Sequence, residues 1–252
     1  MHATSVTEQW TTVAVVGPRA REVVGQLAPD LDVSNEAFPF MTWREAVIAG
    51  TPGRVFRISF SGELAFELNV PTWHGVALWE AVMAAGEPLG ITPYGTEAMH
   101  VLRAEKGYPI IGQETDGTVT PQDLGMSWAV STKKDFIGRR SHRRPDSQRP
   151  DRKQLVGLLP IDPDALLPEG AQLVAPDADL GTTPVPMLGH VTSSYRSAAL
   201  GRTFALALVK GGRDRIGERV LAPLVDGMIE AEIVESVVFD PENRRRDGEP
   251  AA

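Results

Sequence analysis

The sequence predicts an α+β fold in two parts, and three observations carry that expectation. Near the start, Thr11-Thr12-Val13-Ala14-Val15-Val16 is a β-branched run halted by Gly17-Pro18, a strand entering a turn. Strand-like runs then alternate with helically spaced stretches up to about residue 106, an order that favours α+β over an all-parallel sheet. From Leu155 onward, short strands separated by Gly and Pro turns follow one another with no long helix. That pattern predicts a small β-barrel or sandwich.

Each element has a local reason. Pro18 suits a first helical turn, so a helix is expected from Arg19 to Ala28, with Ala20, Val23, Val24 and Leu27 at helical spacing. A strand this close to Met1 has no preceding partner, so one edge of it is expected to stand open. A hairpin follows, with Val55, Phe56 and Ile58 on one arm, Phe66, Leu68 and Val70 on the other, and Ser61-Gly62 near the bend. Pro71-Thr72 opens a helix carrying Trp73, Val76, Trp79, Val82 and Met83 that ends near Gly86. Another runs from about Thr96 to Lys106 and stops at Gly107.

After Gly138 the composition changes. Arg139, Arg140, His142, Arg143, Arg144, Arg149, Arg152 and Lys153 crowd a stretch broken by Pro145 and Pro150. It has no hydrophobic period and reads as a basic linker, residues 139–154, between a first domain of residues 1–138 and a barrel of residues 155–241. The barrel strands are expected at Leu155–Leu159, Gln172–Val174, His190–Ser193, Phe204–Val209, Arg219–Pro223 and Ile229–Val238. A polar tail, residues 242–252, is expected to fray.

Composition excludes several function classes. Lys and Arg total 25 against 33 Asp and Glu, a formal charge of −8, which disfavours nucleic acid or an anionic membrane as partner. No apolar run approaches the ~20 residues of a membrane-spanning helix, and no signal peptide layout precedes Gln9. A cytoplasmic protein is the expectation. The absence of cysteine removes disulfides, thiolate metal sites and cysteine nucleophiles. The five histidines show no metal-ligand spacing, so no metal site is expected, and neither a P-loop nor GxGxxG, HExxH or GxSxG is present.

Two segments bear on chemistry. In Ala65-Phe66-Glu67-Leu68-Asn69-Val70, strict alternation puts Phe66, Leu68 and Val70 on one face and Glu67 on the other. A carboxylate on a rigid strand is suited to an amino-heterocycle, which offers paired N–H donors; the pattern alone favours the plainer reading, the solvent face of an amphipathic hairpin. In Leu102-Arg103-Ala104-Glu105-Lys106-Gly107-Tyr108, Arg103 and Glu105 cannot share a helix face, because i and i+2 point apart. One of them therefore serves either an internal ion pair or a substrate.

Taken in order, these segments resemble the folate-binding T-protein (aminomethyltransferase) family of the glycine cleavage system. The resemblance is strongest to the branch found at the C-terminus of the α subunit of heterotetrameric sarcosine oxidases. It rests on Thr12–Pro18, on Phe60-Ser61-Gly62-Glu63 with Phe66-Glu67, and on Leu102 through Tyr108, whose Lys-Gly-Tyr form is typical of the sarcosine oxidase and dimethylglycine dehydrogenase branch. Pro121–Trp128, Lys133–Gly138, Gly189–Ser194, Leu200-Gly201-Arg202 and Gly211-Gly212-Arg213 extend it into the barrel.

The resemblance implies binding of tetrahydrofolate and transfer to it of the one-carbon unit of oxidised sarcosine, giving 5,10-methylenetetrahydrofolate and glycine. It implies Glu67 as the pteridine ligand, Phe60 packing near the ring where T-proteins carry tyrosine, and Glu63, Arg103 and Tyr108 as further folate-site residues. The family's Ala-Arg-Asp segment is replaced by Ala98-Met99-His100. Its catalytic aspartate lies upstream of the Thr12 strand, so no catalytic residue is assigned here and residues 1–138 are expected to be a T-protein-like domain lacking its N-terminal segment. Flavin and NAD are expected only in missing domains or partners, the partners being sarcosine oxidase β, γ and δ subunits or a separately encoded N-terminal part. The alternatives are a free-standing glycine-cleavage aminomethyltransferase and a catalytically inactive folate-binding module.

Overall fold

The computed structural model describes residues 2–249. It divides into two compact units, one of residues up to Met99 together with those from Glu242 on, the other His100–Pro241. The division falls between Met99 and His100.

The first unit is an antiparallel four-stranded sheet backed by helices. Its strands are β1 (Trp10–Val16), β2 (Thr42–Ile48), β3 (Thr51–Arg57) and β4 (Ala65–Pro71), in the order β1-β4-β3-β2. Helix α1 (Ala20–Leu27) and helix α2 (Gly75–Gly86) cover one face. There Val15, Val55, Phe66, Leu68 and Val70 meet Val23, Val24 and Leu27 of α1 and Leu78 and Val82 of α2. Burying each such side chain contributes roughly 1.5–3 kcal/mol, so this layer fixes which way β4 faces. The α1 stripe is the one expected from spacing. On α2 the buried residues are Leu78, Val82 and Gly86, while its Val76 and Trp79, and Trp73 in the turn before it, stay exposed.

Two features of this unit differ from the sequence expectation. Strand β2 is absent from it, because Arg44-Glu45 interrupts any apolar alternation and its turn, Ala49-Gly50, lacks an Asn-Gly or Asp-Gly signature. Both turn residues nonetheless have positive φ, 47° and 81°, the geometry of a two-residue hairpin. The tail is also not frayed over its described residues, 242–249; the rest of that expectation, residues 250–252, lies outside the described residues. Arg246 stacks over Phe40 at 4.4 Å and its carbonyl accepts from Arg57 Nη2 at 3.1 Å. Arg245 pairs with Glu63, and the Asp247 carbonyl accepts from Asn35 Nδ2 at 3.0 Å.

The second unit is a barrel-like sheet. Strands β5 (Lys153–Pro160), β6 (Gln172–Leu173), β7 (Gly189–Ser197), β8 (Arg202–Lys210), β9 (Arg219–Leu224) and β10 (Gly227–Val234) run in the order β6-β7-β8-β5-β10-β9. The two ends join through Val174 and Leu221, which exchange backbone hydrogen bonds of 2.9 and 3.0 Å. Val156, Leu158, Leu173, Val191, Ala205, Ala207, Val209, Val220 and Ile233 fill one core. Helix α3 (Thr96–Glu105) ends at Gly107, where φ is +63° and an added Cβ would lie 2.7 Å from the Ser236 carbonyl. The basic stretch is strapped to this unit. Arg152 meets Asp123 at 2.6 Å and Asp146 at 2.8 Å, and Arg149 pairs with Asp146 and Asp151.

Candidate functional site

The face of the first sheet turned away from the helices is polar and aromatic. Strand pairing sets its rows: Glu67 lies between Ala14 of β1 and Phe56 of β3, and Asn69 lies between Thr12 and Arg54. Trp43 of β2 pairs with Phe56 and stacks on it at 5.9 Å with 24° between the rings. Arg54 lies over Trp10 at 4.6 Å and Trp43 at 5.6 Å. Thr12 Oγ1 donates to Asn69 Oδ1 at 2.6 Å. The result is a shelf of aromatic rings and Arg54, with a carboxylate in the row of Phe56.

Glu67 is distinctive on this shelf. Its strand is held on both sides, its neighbour Ala14 is small and exposed, and its carboxylate has no hydrogen-bond or ion-pair partner among the described residues. Burial alone pushes the carboxyl up from its ordinary value. A half-buried, unpartnered carboxylate carries a desolvation cost that incoming N–H donors would offset.

The other expected residues divide. Phe60 sits in the segment joining β3 to β4 and is 39% exposed. In that segment the Gly62 N–H donates to Ser59 Oγ at 3.0 Å and the Glu63 N–H to Ser61 Oγ at 3.4 Å. Glu63 is engaged by Arg245. Arg103 belongs to the second unit and is fully buried: Nη1 meets Glu114 Oε2 at 2.8 Å, and Nη2 meets Gln113 Oε1 at 3.0 Å and Ser193 Oγ at 2.7 Å. Of the two roles left open by its position, an internal ion pair or a substrate contact, Arg103 makes the internal pair, with a carboxylate that the sequence did not point to. Tyr108, half-buried, also lies in that unit, and its carbonyl accepts from Arg103 Nη1 at 3.1 Å. Glu105 turns the other way, to Ser197 Oγ at 2.6 Å, as the i, i+2 argument requires. Trp43, Arg54 and Ala14 of the shelf were not singled out by sequence; without β2, no register could bring Trp43 to Phe56. Among the described residues no cluster of three or more potential ligands is placed to hold a metal ion, and no helix is long and apolar enough to cross a membrane.

Comparison with known proteins places this arrangement. The family model of the GCVT N-terminal domain matches residues 1–134, and that of the glycine cleavage T-protein C-terminal barrel domain matches residues 153–240. The chain is 58% identical over 246 residues to sarcosine oxidase subunit alpha of Corynebacterium sp. (strain U-96), covering 97% of this chain and 26% of that protein. It is 43% identical to the same subunit of Rhizobium meliloti (strain 1021), covering 24% of it. Aminomethyltransferase of Symbiobacterium thermophilum is 32% identical over 92% of this chain and 60% of its own length. The chain thus spans about a quarter of the length of the sarcosine oxidase subunits it matches. In fold it resembles the glycine cleavage system aminomethyltransferase T of Bartonella henselae, with a TM-score of 0.64 and 16% identity over 97% of this chain and 86% of that one. With one family model covering each part, the chain belongs to the GCVT family, its N-terminal domain followed by the T-protein C-terminal barrel.

Proposed function

We propose that the chain is the folate-binding part of a sarcosine oxidase α-type protein, and that Glu67 anchors the pterin ring of tetrahydrofolate on the outer face of the first sheet. The observation that carries this reading is the half-buried Glu67 carboxylate, unpartnered beside Phe56, which in turn stacks on Trp43. Such a group accepts paired N–H bonds from an amino-pyrimidinone edge, while the aromatic shelf offers the ring a flat surface. Phe60 completes the set as an apolar neighbour of the folate, and Glu63, tied to Arg245, holds the β3–β4 segment in place.

The reaction in which this binding would take part is transfer of the methylene carbon of oxidised sarcosine to tetrahydrofolate, leaving glycine. Within it, the residues of this chain bind and orient; no catalytic residue is assigned to them. Flavin and NAD chemistry belongs to other domains or to partner subunits, in a cytoplasmic assembly. The Lys-Gly-Tyr segment and the 58% identity to a sarcosine oxidase subunit favour this over a free-standing aminomethyltransferase. Calorimetric titration of tetrahydrofolate into the parent chain and Glu67→Gln tests the reading: binding should weaken in the variant. Undiminished binding would remove Glu67 from the site.

A further inference from the structure

In the second unit, a cavity of about 330 Å³ opens where the basic stretch meets the outside of the barrel, a volume in the range of small-molecule sites. Two of its residues, Lys153 of β5 and Lys210 of β8, stand directly opposite each other. Like charges so placed on an antiparallel pair are destabilising. Lys153 Nζ turns not to a carboxylate but to His190 Nδ1, at 3.2 Å, and among the described residues neither ammonium has an acidic partner. His190 of β7 pairs with Leu208, two residues before Lys210. Alternation therefore puts the three basic side chains on one face of the sheet.

The other charges around the cavity are engaged with one another. Arg152 holds Asp123 and Asp146, and Arg149 holds Asp146 and Asp151. Asp116 accepts from the Thr118 N–H and from Thr118 Oγ1, both at 2.7 Å. The two lysines and His190 are the basic groups left to a ligand. Burial and the Lys153 charge both lower the affinity of His190 for a proton, and Asp116 works against them. An ammonium can only donate, so the Lys153 contact makes Nδ1 the acceptor and leaves the ring hydrogen on Nε2. Electrostatic crowding of this kind inside a cavity marks candidate binding sites.

The donor set selects the ligand. Three converging point charges, with both guanidinium forks taken by carboxylates, suit a phosphate dianion better than a carboxylate. Val119 and Leu208 add an apolar wall, which suits the organic part of an ester. We propose that this cavity binds a small phosphomonoester, its phosphate held between Lys153, Lys210 and His190. On binding, the phosphate draws the Lys153 ammonium from His190 Nδ1. The released imidazole takes up a proton from solvent and donates to the phosphate as well. The proposal does not rest on folate binding.

The test titrates phenyl phosphate into the full chain by calorimetry at one fixed ionic strength, which keeps charge screening constant. Lys153→Gln and Lys210→Gln are each expected to weaken binding at least tenfold. Both lysines are exposed, so these variants fold as the parent does. Succinate is expected to bind at least tenfold more weakly than phenyl phosphate. In proton NMR, the imidazole signal that disappears in His190→Asn should titrate about one unit higher once the cavity is saturated. Absence of binding overturns the proposal, as does affinity undiminished in either lysine variant or a His190 titration that does not move. Succinate binding as tightly as phenyl phosphate would leave only general attraction of anions. Inorganic phosphate binding as tightly would make free phosphate the ligand. Either result also overturns the proposal.

Discussion

Arg103 and Glu114 form an ion pair at 2.8 Å in which neither side chain reaches solvent. Desolvating two charges is costly, and removing one partner leaves the other stranded. Glu114→Ala should therefore destabilise the protein by about 3–5 kcal/mol, read from the midpoint of urea unfolding. Arg103→Lys should also destabilise, because an ammonium cannot span Glu114, Gln113 and Ser193 as the planar guanidinium does. Parent-like midpoints in both would mean that the pair contributes little.

Glu67→Gln should raise the dissociation constant for tetrahydrofolate roughly 10- to 100-fold, since a hydrogen bond to a charged group contributes ~1.5–3 kcal/mol. Glu63→Gln should change it far less, because that carboxylate faces Arg245. A reversed order in the titrations would assign the pterin to the wrong carboxylate.

The same residue gives a pH signature. Burial raises the folded-state value of Glu67, so the native chain holds this proton more tightly than the unfolded one. Its contribution to stability is thus greatest below the ordinary glutamate value and falls as pH rises through the raised one. Thermal unfolding from pH 4 to 8 should show Glu67→Gln gaining on the parent as pH rises, by a small amount because the group is half in water. Folate affinity of the parent should rise over the same window, as the carboxylate forms. A gap between parent and variant that does not change with pH would contradict this.

Gly53→Ala should cost about 1–3 kcal/mol and weaken folate binding as well. An added Cβ would stand 2.4 Å from the Asn69 carbonyl and 3.0 Å from Ile48 Cδ1, and the carbonyl belongs to the strand that carries Glu67. Thermal melting together with a folate titration would show both losses; a parent-like melting temperature would mean that the ladder yields without strain.

Removing residues 242–252 should destabilise the first unit by roughly 1–3 kcal/mol. Arg57 is 1% exposed, and burial lowers its affinity for a proton. Its acceptors are Asn35 Oδ1, the Phe38 carbonyl and the Arg246 carbonyl, at 3.1, 3.2 and 3.1 Å. Truncation takes away the last of these and the Arg245 partner of Glu63. An unchanged melting temperature for the truncated chain would show that water replaces them at no cost.

What sequence revealed and what it hid divide along physical lines. Periodic signals were legible: the α1 stripe, the alternation that turns Glu67 from Phe66 and Leu68, the stop at Gly107 and the six barrel strands. Pairings across long sequence separations were not. Glu114 meets Arg103 and Ser193 with no local pattern to announce it, and Trp43 reaches Phe56 through a hairpin whose Ala-Gly turn carries no recognisable signal. The tail looked frayed because its arginines find their partners, Glu63 and Phe40, in the first third of the chain. Trp73, just before α2, and Val76 and Trp79 on it have the character of core residues but lie outside it, since Leu78 and Val82 supply the packing.

The embrace of Glu63, Phe40 and Arg57 by residues 245 and 246 sets an order of events during synthesis. The first unit emerges from the ribosome first, yet its last contacts wait until all of the second unit has been made. At about 5–20 residues per second, that interval is on the order of ten seconds. Throughout it Arg57 lacks one of its carbonyl acceptors and the segment beside Glu67 lacks its tether, so the nascent sheet is most exposed to proteases and chaperones while the barrel is still being translated.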